Sequence, residues 1–178
     1  NEASLSGVEV VTGSAGNDSI TVSKHDIASV SGGEGIDDVT LTDASGNRVD
    51  LAGVEVITGS AGEDILTVTD GTSVTLDGGD GADTLTGNVG ADTLLGGSGS
   101  DTLIGGGGSD FVDGGQGSDL LELDGAAGVT AEGGDGTDTV VLVGETNEAS
   151  LSGVEVVTGS AGNDSITVST RDIASVSG

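Results

Sequence analysis

The 178-residue sequence predicts an all-β fold, a parallel β-roll or β-solenoid with about 18 residues in each turn of a flattened coil. Three features predict it. The chain keeps a nine-residue period, each period carries one aliphatic side chain, and a turn rich in glycine and aspartate precedes each aliphatic.

The period is plainest from Gly78 to Glu122, where five nonapeptides follow without a gap: GGDGADTLT, GNVGADTLL, GGSGSDTLI, GGGGSDFVD and GGQGSDLLE. The pattern is G-G-x-G-x-D-x-U-x, with U aliphatic. It recurs at 32–40 (GGEGIDDVT) and 133–141 (GGDGTDTVV), and with serine at position two at 13–21, 59–67 and 159–167. The stretches between keep the beat less well. Residues 4–12, 50–58 and 150–158 fit the frame with Glu9, Glu55 and Glu155 in place of aspartate. Residues 22–31, 68–77, 123–132 and 168–177 are ten-residue units without the turn signature, and 41–49 and 142–149 are degenerate.

A longer repeat lies over the short one. Residues 147–178 restate residues 1–32 with two differences, Lys24 to Thr170 and His25 to Arg171. The chain therefore reads as one continuous roll over 1–178. Residues 1–146 are a full tandem unit, 147–178 the start of the next, and 78–122 an uninterrupted core. It is expected to be an excerpt of a longer array. No signal peptide is visible at Asn1.

Position eight holds Ile20, Val39, Leu66, Leu85, Leu94, Leu103, Val112, Leu121, Val140 and Ile166. One aliphatic flanked by polar residues is a short strand with alternating faces. Threonine at positions seven and nine suits such a strand. Strands this short are stable only when stacked on the turns above and below. A core of this kind is thin, consistent with a chain whose only aromatic residue is Phe111 and which has no Met, Trp or Tyr. Glycine-rich, acidic chains poor in aromatics are also often disordered. Disorder, however, gives no reason to hold a register over the whole chain.

Charge narrows the partners. Thirty-one acidic residues stand against three basic ones, for a formal net charge of −28. No basic patch exists to neutralise phosphate, so nucleic acid is excluded and an anionic membrane surface is disfavoured. No run of 18 apolar residues offers a membrane span. Without cysteine there is neither a disulfide frame nor a thiolate metal site. No G-K-[ST] follows the glycine-rich loops, so they are not phosphate cradles. There is no H-E-x-x-H, and a regular column of acids is not the cleft a glycosidase needs. No enzyme is expected. His25 and Phe111 read as surface residues. Asp38, Asp77, Asp80 and Asp113 read as solvated carboxylates beside the turns.

Cations are the natural partners. Glycine at positions one, two and four permits positive φ and leaves backbone carbonyls exposed, and the aspartate at position six adds a carboxylate. Such hard oxygen donors suit Ca²⁺, with its six to eight flexible ligands, better than Mg²⁺. Zinc and copper lack their preferred ligands. Two units make one turn, so aspartates about 18 residues apart share an edge. One edge is predicted to carry Asp64, Asp83, Asp101, Asp119 and Asp138. The other carries Asp18 with Asp37 and Asp92 with Asp110. Asp164 begins the next unit. Ions shared between adjacent turns would number about six per chain, taking the charge from −28 to about −16. Without metal the carboxylate columns repel themselves, so folding and binding are expected to be one event.

The nonapeptides resemble the RTX, or haemolysin-type, calcium-binding repeats. The resemblance implies a right-handed parallel β-roll, with calcium between successive turns held by the position-six aspartates named above and by turn carbonyls. For Glu9, Glu55 and Glu155 two readings stand, a longer calcium ligand or a solvated turn residue. The resemblance also implies a secreted, extracellular bacterial protein. Two roles follow. One is a structural rod in an adhesin, surface layer or filament, whose open ends could associate end to end. The other is an accessory module that aids calcium-triggered folding and secretion of a toxin or hydrolase.

Overall fold

The aliphatic at position eight and the apolar residue near it place one inward face on every short strand, and the glycine turns reverse the chain after each. In the computed structural model, residues 2–5, 10–23, 27–124, 128–169 and 174–177 are described. Among them, twenty strands alternate between two ten-stranded sheets, so that every second strand along the chain pairs with its neighbour in the same sheet. All pairings are parallel. No helix is present among the described residues.

Register gives the turn length directly. Thr75 pairs with Thr93 and Thr93 with Phe111, each a step of 18 residues, whereas Phe111 pairs with Thr130 across 19. The extra residue comes from a ten-residue unit. Those units keep the fold although they lack the turn signature. Residues 22–31 supply the strand Ser29–Ser31, and residues 123–132 supply the start of the strand Val129–Gly136. Their length is absorbed in the loop.

The core is two facing ladders. Leu76, Leu94, Val112, Ala131 and Leu151 pair in succession in one sheet, and Leu66, Leu85, Leu103, Leu121, Val140 and Val157 in the other. All are 0–1% exposed. Each layer is one side chain deep, so small aliphatics fill it and no aromatic is needed. Phe111, at position seven, is half-buried on the outside of its strand. Burying a leucine here contributes roughly 2 kcal/mol, repeated at each turn. The loops that join the sheets stack along the two edges of the coil and carry the position-six carboxylates.

Candidate metal centres

The carboxylate that follows each glycine turn points inward and not into solvent. Asp37, Asp64, Asp83, Asp92, Asp101, Asp110, Asp119 and Asp138 are at most 3% exposed, and Asp18 is 5% exposed. The stacking of turns brings them into two columns. On the edge that follows the first sheet, Asn47, Asp64, Asp83, Asp101, Asp119, Asp138 and Glu155 succeed one another. Each of the first six donates its backbone N–H to the next residue's carboxylate at 2.6–2.9 Å. On the opposite edge Asp18 donates to Asp37 at 2.8 Å and Asp37 to Glu55 at 2.7 Å. Val74 then takes the place of an aspartate. It donates its N–H to Asp92 at 3.0 Å, and Asp92 donates to Asp110 at 3.0 Å.

The sequence spacing thus puts Asp64, Asp83, Asp101, Asp119 and Asp138 on one edge and the pairs Asp18–Asp37 and Asp92–Asp110 on the other. Asp164 meets Asn147, not another aspartate, among the described residues. Glu55 and Glu155 end their runs by accepting an N–H through Oε2, the bond that Oδ1 of aspartate accepts elsewhere. Glu9 lies outside the described residues. Asp38 and Asp80 are exposed at the turn margins, and Asp77 and Asp113 are half-buried there.

The second carboxylate oxygen separates the aspartates into two groups. Oδ2 of Asp37, Asp83, Asp101, Asp110, Asp119 and Asp138 is buried and accepts no hydrogen bond. A buried, unpaired anionic oxygen is costly, by several kcal/mol, unless a cation or a proton meets it. Beside it the position-one glycine leaves a hollow. A Cβ on Gly78 would lie 2.5 Å from Asp83 Oδ2 and 2.7 Å from the Gly96 carbonyl oxygen. On Gly114 it would lie 2.5 Å from both Asp119 Oδ2 and the Gly133 carbonyl oxygen. A carboxylate oxygen and a carbonyl oxygen of the adjacent turn therefore converge where any side chain would intrude. Among the described residues no three His, Cys, Asp or Glu side chains gather as a metal cluster. Any ion here needs backbone carbonyls as well, a donor set that suits Ca²⁺.

The electrostatics follow the same division. Burial pushes the Asp83 carboxyl up to about 7, against the Asp64 N–H that favours its charge, with Asp101, Asp64 and Asp77 adding repulsion. Burial likewise raises Asp110 to about 6, and it raises Asp101, Asp119 and Asp138. The Ser14 N–H holds Asp18 down at about 2, and the Asn147 amide and Ser160 N–H lower Asp164.

A family model settles what these turns are. The model of the RTX calcium-binding nonapeptide repeat, in four copies, matches residues 5–24, 51–72, 75–103, 86–121 and 151–168, more than half of the chain. The chain belongs to the RTX calcium-binding repeat family. No curated protein and no solved structure is significantly similar to it. The RTX repeat is a structural calcium-binding module of secreted bacterial proteins and not a catalytic fold. The orphaned Oδ2 atoms and the glycine hollows fit the cation that this family binds. The six position-six aspartates whose Oδ2 is open, with the carbonyls of the adjacent turns, are the candidates to hold it.

Sequence reasoning missed Asn47 and Asn147. The amide of Asn47 donates to Asp64 Oδ1 at 2.7 Å and to Ser60 Oγ at 3.1 Å, and that of Asn147 does the same to Asp164 and Ser160 at 2.7 and 3.2 Å. The signal was there. An asparagine stands twelve residues before each GSAG turn, at Asn1, Asn47 and Asn147.

Proposed function

We propose that this chain is a calcium-dependent structural module, a repeating segment of an extracellular rod that folds on binding about six Ca²⁺ in its edge turns. The observation that carries the reading is the set of six buried, unpaired Oδ2 atoms, found on the second member of each of the six aspartate pairs formed by adjacent turns. The near-identity of residues 1–32 and 147–178 supports a rod in an adhesin, surface layer or filament, since equal units set reach and stiffness. A calcium-triggered folding module beside a toxin or hydrolase domain is the second reading, favoured by the columns of buried carboxylates alone. Secretion into a calcium-rich exterior suits both readings.

Small-angle scattering tests the rod. Chains of one, two and three 146-residue units are compared in calcium. Stacked turns about 4.8 Å apart predict a linear gain of about 40 Å in length per unit. A length that does not grow in proportion, or a radius of gyration that scales as a coil does, rules the rod out.

A further inference from the structure

Six of the ten position-six carboxylates have an open oxygen, and four do not. Asp64 is saturated: Oδ2 accepts the Ser60 N–H at 2.6 Å and its hydroxyl at 3.0 Å, while Oδ1 accepts the Asn47 N–H and amide. Asp18 Oδ2 is closed by the N–H and hydroxyl of Ser14, and Asp164 Oδ2 by the Ser160 N–H, the Ser160 hydroxyl bonding Oδ1. Asp92 Oδ2 accepts the Asn88 N–H at 2.8 Å. In each case the capping group is the residue at position two of the same nonapeptide.

In the six open turns position two is glycine, with φ between 85° and 113°. Side chains on L residues avoid that region, and among the described residues every positive φ belongs to glycine. Serine or asparagine at position two therefore keeps φ negative, and its N–H bonds the carboxylate four residues on. Glycine lets the backbone turn the other way, and the carboxylate oxygen is left without a donor.

We propose that position two selects which turns take a cation: glycine leaves Oδ2 open to calcium, whereas serine or asparagine closes it with the loop's own donors. This rests on the calcium reading above and says which turns are filled. Asp37, Asp83, Asp101, Asp110, Asp119 and Asp138 hold ions through Oδ2, whereas the carboxylates of Asp18, Asp64, Asp92 and Asp164 are capping groups and not ligands. The capped turns have a place in the order. Asp64 is the first aspartate of the long column, and Asp18 and Asp92 are the first of their pairs, so each column starts on a turn complete without metal.

The test is a count of bound calcium by equilibrium dialysis and atomic emission on the 178-residue chain and three variants. One ion per open oxygen predicts six for the parent chain. Ser60→Gly should gain one ion, Gly97→Ser should lose one, and Asp64→Asn should keep the parent count. Ser60→Gly puts glycine where every φ is allowed, so it decides the matter even where Gly97→Ser does not fold. A parent count near ten, an unchanged count in folded Ser60→Gly, or a lost ion in folded Asp64→Asn overturns the selection rule while leaving the calcium module intact. No bound calcium in any chain removes the calcium reading itself, and this rule with it.

Discussion

Oδ1 of Asp101 accepts the backbone N–H of Asp83 at 2.7 Å, while Oδ2 of the same carboxylate, equally buried, accepts nothing. One oxygen ties two turns together, and the other is the one the proposal assigns to a cation. The behaviour of the whole chain in and out of calcium follows from that division of labour.

Asp101→Asn should change sign with the metal. The substitution keeps an acceptor for the Asp83 N–H but removes a buried charge. In chelator any residual folded state gains stability, because the column loses one repelling carboxylate. With calcium at about a hundredfold its dissociation constant, loss of one ion costs about 2.7 kcal/mol. Urea unfolding in the two conditions measures both effects. The same direction in both would disprove the division between the two oxygens.

Asp83 titrates at about 7 and Asp110 at about 6 in the metal-free fold, above the usual 3.8 for aspartate, because burial penalises their charge. A folded-state pKa raised in this way means the folded chain holds protons that the unfolded chain has released. Metal-free stability should therefore be greatest near pH 4, declining as pH rises toward 7 and, through the lowered Asp18 and Asp164, as pH falls further. Circular dichroism in chelator from pH 3 to 8 checks this, and a rise in β content as pH climbs above about 4 would contradict it. Below pH 7 calcium binding should release protons, measurable as a buffer-dependent heat.

Two glycines a few residues apart should behave differently. Gly99 sits at φ 141°, with the Gly81 carbonyl where its Cβ would go, so Gly99→Ala should cost 2 kcal/mol or more, roughly. Gly107 has nothing within 4 Å of a Cβ and no positive φ, so Gly107→Ala should be nearly neutral. Thermal unfolding in saturating calcium distinguishes them.

Leu94 is fully buried and pairs with Leu76 on one side and Val112 on the other. Leu94→Ala should cost about 3 kcal/mol in calcium, since neighbouring turns fixed by their own ladders cannot collapse into the gap. A loss under about 1 kcal/mol, read from urea unfolding, would mean that the layers are not tightly coupled.

Much of this was legible in the sequence, because the repeat is nearly its own diagram. A nine-residue beat with Leu85, Leu94 and Leu103 at one position fixes the inward face, and a two-unit turn sends Asp83 and Asp101 to one edge and Asp92 to the other. What could not be read are the hydrogen bonds made across turns. Asn47 reaches Asp64 over seventeen residues, a distance that means contact only once the turn length is known. Val74 hides in a ten-residue unit with no turn signature, yet it occupies an aspartate's place in the stack. The difference between Ser60 and Gly79 at position two was visible as letters. Its consequence depends on backbone φ, which only the structure supplies.

The most direct measurement is a calcium titration followed by far-UV circular dichroism, with magnesium as control. If the open carboxylates need their cation, the chain at neutral pH passes cooperatively from coil to β in calcium and stays coil-like in equal magnesium. A spectrum already β in chelator at pH 7, or still coil-like in millimolar calcium, would contradict the coupling of metal and fold.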